Sequence, residues 1–451
     1  MPLAALVFFA KLVSPILGDY MKNIIQLSLV TLVVIFASIT NADTKLLHVG
    51  QLLSVAGKDV LTKQSIYIEK GKIASVTAGY QDLSQYPEGT EYIDLTGYFV
   101  MAGLMDMHVH LQGELGPNND SEMLKMSDPL VSMKSAWHAK KTLMAGFTTV
   151  RDVGSKDQYM FALRDAINKG WLEGPRIIAA GGVGITGGHA DVSGMKPELM
   201  HFYTDKSICD GPFDCRRATR NAIKYGADLI KITSTGGVMT DRKTGTGQQM
   251  EMDELKEVVL AAKRMGRKVA SHAHHEDGIV AALKAGVASI EHGTYTGERA
   301  IKLFKETGAY LVPTLLAGDT VKKIALNSNY MSEAIREKAI RVGTDMQGNF
   351  AKAFNAGVNI AFGTDSGISK HGTNAQEAVL MFDAGMPVMD ILKSATVNAA
   401  DLIDMSHELG TIEVGKYADI IAMKRSPLTD IKQLLDVDFV MRSGSIYKHI
   451  K

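Results

Sequence analysis

The sequence predicts an α/β protein: a (β/α)8 TIM-type barrel with a small β-sandwich domain built from both chain ends. Three observations predict this fold class. Eight apolar, strand-like runs alternate with amphipathic helical stretches through the middle of the chain. Short strand-like segments separated by Gly, Lys and Asp occur at both ends. Histidines and an aspartate follow several of the eight runs, where a barrel of this kind gathers its functional groups.

The N-terminus is interpreted as a targeting segment outside the fold. After Met21 come a basic residue, Lys22, and an apolar core from Ile24 to Ile39. Small residues follow this core, and the last of them is Ala42. This layout is typical of a secretory signal peptide cut after Ala42, with residues 1–42 as upstream extension and signal. It predicts export to a periplasmic or extracellular space and no stable membrane insertion after cleavage. An uncleaved membrane anchor is the alternative.

The segments after the signal and at the C-terminus predict one β-rich module. "KLLHVGQLLSV", "QSIYIEKGKIASVTAG" and "EYIDLTGYFVMAG" have the composition of short strands, and so do "GTIEVGKYADIIAMK" and "DFVMRSGSIYK". We therefore assign residues 43–100 and 401–451 to the two parts of the sandwich, the second with a closing helix. Residues 101–400 form the predicted barrel.

Each predicted barrel strand is a short apolar run, and stretches such as "MDELKEVVLAAKRMGR" and "DGIVAALKAG" supply the intervening helices. In chain order the runs are "LMDMHVHL", "FTTVRDVG", "RIIAAGG", "DLIKITS", "KVASHAH", "SIEHGT", "YLVPTL" and "NIAFGTD". The formal net charge is zero in 451 residues, which gives no support to a nucleic-acid partner. A homo-oligomer is compatible with the sequence.

The first run ends in two histidines one residue apart, His108 and His110. In a strand they point to the same face, about 7 Å apart along the chain. Two neutral imidazoles at one strand end suit a zinc ion. A pair of polar strand-end histidines is the alternative, so the metal interpretation requires further ligands.

Further candidate site residues lie at the ends of later strands. The fourth strand offers Lys231, the fifth His272 with His274 just beyond, the sixth His292 and the eighth Asp365. In a closed barrel these strand ends meet at one mouth. The sequence therefore predicts one site built from several strands.

The pattern resembles the amidohydrolase superfamily of metal-dependent hydrolases, and within it the Xaa-Pro dipeptidase and imidazolonepropionase-like group. The closer resemblance is carried by "GFTTVRDVG", "TGGHAD", "ADLIKITSTGGVMT", "HAHHEDGI", "EHGTY" and "GTDSG". It implies two divalent metal ions, zinc by preference, and a lysine carbamate derived from carbon dioxide. The implied ligands are His108, His110 and Asp365 for the more buried ion, His272 and His292 for the more exposed ion, and Lys231 as the bridge. The alternative is an unmodified Lys231 that forms a salt bridge at the barrel mouth.

The resemblance also implies the reaction. The expected activity is cleavage of the amide bond of a dipeptide or an N-acyl amino acid by metal-activated hydroxide, with a small molecule or dipeptide as partner. Asp365 would move the proton. His274 is the candidate oxyanion donor because it shares the strand face of His272; a loop histidine outside the site is the alternative. Hydrolysis of cyclic amides or lactones is the alternative reaction, and a non-catalytic binding barrel the alternative class.

Two more residues are candidates for contacting substrate. Glycines flank His189 in "GITGGHADVSG" and let the backbone approach a ligand, and by analogy with the family this histidine would meet a substrate carboxylate. An exposed loop histidine is the alternative. Arg242, in the loop after the fourth strand, is a candidate for an anionic substrate end, with a solvated turn as the alternative.

Two further pairs are expected to be structural. Arg151 and Asp152 at the end of the second strand are expected to form a structural ion pair, with a substrate role as the alternative. The spacing of Cys209 and Cys215 would allow a local disulfide. Because partners for a metal or redox role are absent, we expect free or incidentally paired thiols.

Overall fold

The computed structural model describes residues 44–204, 206–240 and 245–450. The predicted extension and signal peptide, and Arg242, lie outside the described residues. Within these ranges, no helix combines the length and the hydrophobicity needed to cross a bilayer.

The strands and helices alternate through most of the chain. The strands are β1 (Thr44–Leu53), β2 (Leu61–Glu69), β3 (Lys72–Ala78), β4 (Glu91–Ala102), β5 (Leu104–Val109), β6 (Phe147–Asp152), β7 (Arg176–Ile185), β8 (Ile208–Cys209), β9 (Leu229–Thr233), β10 (Val269–Ala273), β11 (Ser289–His292), β12 (Tyr310–Val312), β13 (Asn359–Ile360), β14 (Ile420–Met423), β15 (Phe439–Arg442) and β16 (Ser445–His449). The α-helices are α1 (Asn119–Lys125), α2 (Asp128–Met144), α3 (Asp157–Asn168), α4 (Pro197–Tyr203), α5 (Gly211–Tyr225), α6 (Met252–Arg264), α7 (Glu276–Ala285), α8 (Glu298–Thr307), α9 (Leu315–Asn327), α10 (Glu333–Asn355), α11 (Gln376–Asp383), α12 (Val388–Ser394) and α13 (Val397–Leu402).

Eight parallel strands form the predicted barrel. β5, β6, β7, β9, β10, β11, β12 and β13 are neighbours in that order, and the short β8 pairs with the end of β7. Backbone hydrogen bonds close the circle: the Asp365 amide donates to the His108 carbonyl at 2.7 Å, and the His110 amide donates to that of Ser366 at 2.7 Å. The barrel prediction is therefore confirmed, and its closure joins two segments that carry candidate ligands.

The outer helices form because their sequences combine an apolar face with good termini. In α6, Glu251 and Glu254 make a reciprocal capping box at the N-terminus. Leu255 and Val258, one helical turn apart, are fully buried. Such helices cover the outside of the barrel and hold its strands in place.

The two chain ends form one seven-stranded sheet, in the order β16-β15-β14-β4-β1-β2-β3. Its pairings are antiparallel except for β1 with β4. Leu47 and Ile66 from the N-terminal part pack with Ile420 and Phe439 from the C-terminal part in a separate apolar core. This confirms that both ends build one additional sheet domain.

Of the two states that the sequence left open, free or paired thiols, the structure has the paired one: Cys209 and Cys215 form a disulfide. β8 ends at Cys209 and α5 starts at Gly211, so the chain turns back at once and brings the two Cα atoms to 5.0 Å. Both cysteines are buried. The sequence spacing allowed this pairing but did not require it.

An ion pair fastens the terminal sheet to the barrel. Arg176, at the start of β7, donates to Asp419 at 2.7 Å and to the Ser443 hydroxyl at 3.0 Å. The Asp419 carboxylate also accepts from the Ser443 amide at 2.7 Å. Arg176 is 14% exposed and Asp419 is 7% exposed, so removing the guanidinium leaves a largely buried carboxylate without its partner.

We expect Arg176→Met to lower the free energy of unfolding by about 3 kcal/mol, because a buried carboxylate loses its counter-charge. Urea denaturation measures the loss. Lys302→Met is the control, since Lys302 is 78% exposed in its pair with Glu306, and it should lower the free energy of unfolding by less than about 1 kcal/mol. Equal losses of unfolding free energy in the two variants would contradict a stabilising role for the ion pair between Arg176 and Asp419.

Candidate functional site

The sequence-predicted ligands converge on one cavity at the carboxyl ends of the barrel strands. The cavity has a volume of about 390 Å³. Among the residues that line it are His108, His110, Lys231, His272, His292 and Asp365, together with His189 and His274. The structure thus brings together every described residue that the sequence nominated for the site.

His108, His110 and Asp365 form the first donor group. His108 lies in β5 and His110 directly follows it, and their Nε2 atoms are 3.3 Å apart. The Asp365 Oδ1 atom lies 3.0 Å from Nε2 of His110 and 3.6 Å from Nε2 of His108. This close meeting follows from the barrel closure, which places the chain after β13 beside β5.

His272, His274 and His292 form the second donor group, and one ring nitrogen of each lies within 4.8 Å of the others. The ring centroids of His272 and His292 are 4.7 Å apart, and those of His274 and His292 are 5.0 Å apart. His274 is 4% exposed. His274 therefore lines the cavity and is not a loop histidine outside the site, which was the alternative.

Hydrogen bonds on the outer side of the rings direct the other nitrogens into the cavity. Nδ1 of His108 lies 2.8 Å from Glu291 Oε2, and a carboxylate at this position holds the ring proton on Nδ1. Nε2 of His272 faces the Gly236 carbonyl at 3.3 Å, so Nδ1 is the nitrogen left for the site. Nδ1 of His292 contacts the Thr314 hydroxyl at 2.7 Å, so Nε2 is the atom left for the site.

The partner of Arg151 is Glu291, so the predicted Arg151–Asp152 ion pair is wrong. Arg151 donates to Glu291 Oε1 at 2.8 Å and to the Met107 carbonyl at 2.6 Å. Asp152 instead accepts from the Leu111 amide at 2.7 Å. Adjacent residues of a strand point to opposite faces, which prevents the predicted pairing. Arg151 stabilises the site indirectly, because it binds Glu291, which in turn contacts the ring of His108.

Burial keeps most of these nitrogen groups neutral. It lowers the pKa of Lys231 and, strongly, those of His272 and His292. It brings the pKa of His108 to about 4 and that of His274 to about 3. Neutral imidazoles have lone pairs available at physiological pH, and the lowered pKa of Lys231 favours its neutral amine form.

His110 and Asp365 behave as a coupled pair. Burial lowers the pKa of His110, but contact with the Asp365 carboxylate outweighs it and raises the value overall. Burial raises the pKa of Asp365, but His108 and His110 outweigh it, and the pKa is lowered. The carboxylate therefore stays ionised in the cavity.

Backbone strain is concentrated at the same place. Three residues here, His292 (φ 70°), Thr314 (φ 52°) and Asp365 (φ 57°), have a left-handed backbone without being glycines. Such conformations cost of the order of 1–3 kcal/mol each and cluster at functional sites. Within the site, the side chains of His292 and Thr314 hydrogen-bond to each other, and the Asp365 amide donates to the His108 carbonyl.

The donor set fits divalent metal ions. Asp365 Oδ1 is buried and, among the described residues, makes no hydrogen bond of acceptable geometry. Each of the two groups offers three potential ligand atoms, one from each residue, and the atoms of a group lie within 4.8 Å of one another. Imidazole nitrogen with carboxylate oxygen is a ligand set that zinc and other divalent ions accept.

His189 also belongs to the cavity wall rather than to an exposed loop. Its ring centroid is 4.4 Å from that of His272, and its Nδ1 contacts the Thr240 hydroxyl. Burial brings the pKa of His189 to about 4, so the ring is neutral and offers at most one N–H to a ligand.

Sequence reasoning missed the supporting groups. Glu291 precedes His292 in "SIEHGT", and a charged residue inside an apolar strand was the signal that could have revealed it. The apolar cavity wall includes Val321 of α9, with Val342 and Met346 of α10. No local pattern distinguishes these side chains from others on amphipathic helices.

The chain is similar to several known proteins over most of its length. Residues 99–447 match the sequence profile of the amidohydrolase family. A Xaa-Pro dipeptidase crystallised with bound methionine in the active site is 41% identical, with a TM-score of 0.86 over 90% of this chain and 100% of that chain. A prolidase complexed with N-methylphosphonate-L-proline is 29% identical, with a TM-score of 0.81 over 90% and 100%. Ochratoxinase of Aspergillus niger is 29% identical over 94% of this chain and 91% of its own length.

The ionisation of Glu291 predicts a pH dependence of stability for the metal-free protein. Burial raises the pKa of Glu291, but Arg151 and His108 outweigh it and bring the value to about 2, against an ordinary value of 4.5. A depressed pKa contributes stability that is present above pH 4.5 and is lost as the pH falls towards 2. The shift corresponds to about 3 kcal/mol.

We therefore expect the stability difference between wild type and Glu291→Gln to be constant above pH 4.5 and to shrink as the pH falls towards 2. Unfolding by urea in the presence of a chelator measures it at each pH. Glu298→Gln, at an exposed position of α8, should show no such trend. A difference that does not change with pH would mean that the Glu291 charge contributes nothing to stability.

Proposed function

The chain belongs to the amidohydrolase family, and from that premise we propose that it cleaves the amide bond of dipeptides or N-acyl amino acids with two divalent metal ions. Its class, a hydrolase acting on amide carbon–nitrogen bonds, is the same as that of its relatives. One observation carries the proposal: two groups of three donor residues open on a single cavity that Lys231 also lines.

The first ion would be held by His108, His110 and Asp365, and the second by His272 and His292. Zinc is the preferred ion for imidazole and carboxylate ligands. When bound, two such ions lower the pKa of a shared water and polarise the scissile carbonyl.

Lys231 would act as the bridge between the two ligand sets. Its burial favours the neutral amine, whose lone pair can attack the carbon of carbon dioxide. As the carbon–nitrogen bond forms, one carbon–oxygen π bond would open onto its oxygen and the proton of the nitrogen would pass to solvent, which leaves an anionic carbamate. Such a group supplies two oxygen donors where an ammonium would supply none.

Asp365 would move the proton during hydrolysis. Its carboxylate is ionised, buried and close to both histidines of the first group. It can therefore accept the proton of the attacking water and deliver it to the leaving amine.

His274 would stabilise the developing oxyanion. Its Nδ1 lies 2.8 Å from the Thr294 hydroxyl, which can donate to that nitrogen. The ring proton then sits on Nε2, where it can be donated to the substrate oxygen.

The cavity wall supports a substrate with an apolar side chain and a carboxylate. Val321, Val342 and Met346 offer the apolar surface. His189 offers a neutral N–H donor for the carboxylate, and Arg242 is a further candidate outside the described residues. The relatives agree with this class, since one was crystallised with methionine and another with a phosphonate derivative of proline.

The proposed setting is extracytoplasmic. The interpretation of residues 1–42 as extension and signal supports export, and peptides scavenged outside the cytoplasm would be the substrates. A small molecule or dipeptide is the expected partner, and self-association into a homo-oligomer is left to measurement.

The test uses the chain from Asp43 onward, loaded with zinc and supplied with bicarbonate. It is incubated with mixed dipeptides and N-acyl amino acids, and the released amino acids are identified by mass spectrometry. We expect Asp365→Asn and Lys231→Ala to lower the rate by at least about 100-fold, because one removes the proton carrier and the other the bridge. Lys224→Ala, exposed at the end of α5, is the matched control and should keep the wild-type rate.

Variants of Asp365 and Lys231 with wild-type rates would refute the assigned roles. Release of no amino acid by the metal-loaded wild type, together with opening of cyclic amides or lactones, would favour the alternative reaction.

A further inference from the structure

A third cluster of ligand-type side chains lies next to the cavity but outside both donor groups. Glu114 follows β5, His138 belongs to α2, and His371 follows β13. His138 is fully buried and His371 is 2% exposed, whereas Glu114 is half-buried. One potential ligand atom from each residue lies within 4.8 Å of the other two.

The protons of the two imidazoles are fixed by backbone carbonyls. His138 Nδ1 lies 2.8 Å from the Leu111 carbonyl, and His371 Nε2 lies 3.0 Å from the Gly113 carbonyl. A carbonyl only accepts, so each of these nitrogens carries the ring proton. His138 Nε2 and His371 Nδ1 are therefore lone-pair atoms. Both are buried, and neither has a hydrogen-bond partner in the described part of the chain.

The cluster thus presents three acceptors to one another. The two rings are stacked with centroids 4.4 Å apart, and His138 Nε2 lies 3.9 Å from Glu114 Oε1. Lys141 donates to the same carboxylate oxygen at 2.9 Å and offsets part of its charge. Neither lone-pair nitrogen takes part in that bond. Because the two unpaired nitrogens repel each other, a cation or a hydrogen-bond donor between them would stabilise the cluster.

We propose that Glu114, His138 and His371 form a separate divalent-metal site, with His138 Nε2, His371 Nδ1 and a Glu114 oxygen as ligands. Two imidazoles and a carboxylate suit zinc and related ions. Burial lowers the pKa of both histidines, that of His371 to about 4, so protons do not compete with the ion at neutral pH.

The position of this site gives it a structural role. The His371 amide already donates to Glu114 Oε1 at 2.9 Å, joining the loops that follow β5 and β13. These two loops directly follow the segments with His110 and Asp365. An ion held between them would stabilise the barrel closure without touching the substrate.

Zinc-edge anomalous diffraction from crystals of the wild-type protein tests the site without any substitution. At saturating zinc we expect an anomalous peak bounded by Glu114, His138 and His371. Ordinary density for a water molecule, without an anomalous signal, would overturn the proposal, since a water can donate to both lone pairs.

Metal counting provides a second, independent test. Wild type, His138→Gln and His371→Gln are stripped with chelator, reloaded with zinc, passed through gel filtration and analysed by mass spectrometry for zinc. Each variant should retain one zinc ion fewer per chain than wild type. His407→Gln is the matched control, because His407 is 74% exposed, and it should retain the wild-type number.

An equal zinc content in all four proteins would contradict the site. The outcome is separable from the proposed amide hydrolysis: Asp365→Asn should lose activity yet keep the anomalous peak at Glu114, His138 and His371.

Discussion

The withdrawal of nitrogen ligands from water at the barrel mouth is the constraint on which the rest of the site depends. Burial lowers the pKa of Lys231 and of His108, His272, His274 and His292. The imidazoles are therefore neutral at neutral pH and the neutral form of the Lys231 amine is favoured, beside one carboxylate that remains ionised. Neutral imidazoles and an ionised carboxylate are the protonation states in which these residues can bind a divalent ion, which is why the arrangement fits the proposed metal centre.

The fold supports this set with a layer of polar contacts beneath it. Arg151 offsets the charge of Glu291, and Glu291 in turn fixes the ring of His108. The barrel closure brings Asp365 to β5 through a backbone bond, and the left-handed conformations of Asp365 and His292 aim their side chains inward. The strain and desolvation at the mouth are offset by the apolar packing of the barrel wall.

The sequence was sufficient to predict the barrel and the meeting of the candidate ligands at its mouth. Strand alternation put His108 and His110 on one face, and parallel strands end at one mouth, so His272, His292 and Asp365 could be placed without coordinates. The pairing of Arg151 with Glu291 was not predictable, because it depends on the register between distant strands. The cluster of Glu114, His138 and His371 joins a helix with two loops, and no periodicity relates such positions.

The central claim is that this amidohydrolase-family protein owes its hydrolytic activity to metal held in the barrel mouth. The most direct measurement is the rate of amide hydrolysis after chelator treatment and during stepwise return of zinc, with bound zinc counted at each step. The account predicts that the rate is lost with the metal and returns as zinc is bound. A protein with no measurable metal and its original rate would contradict it.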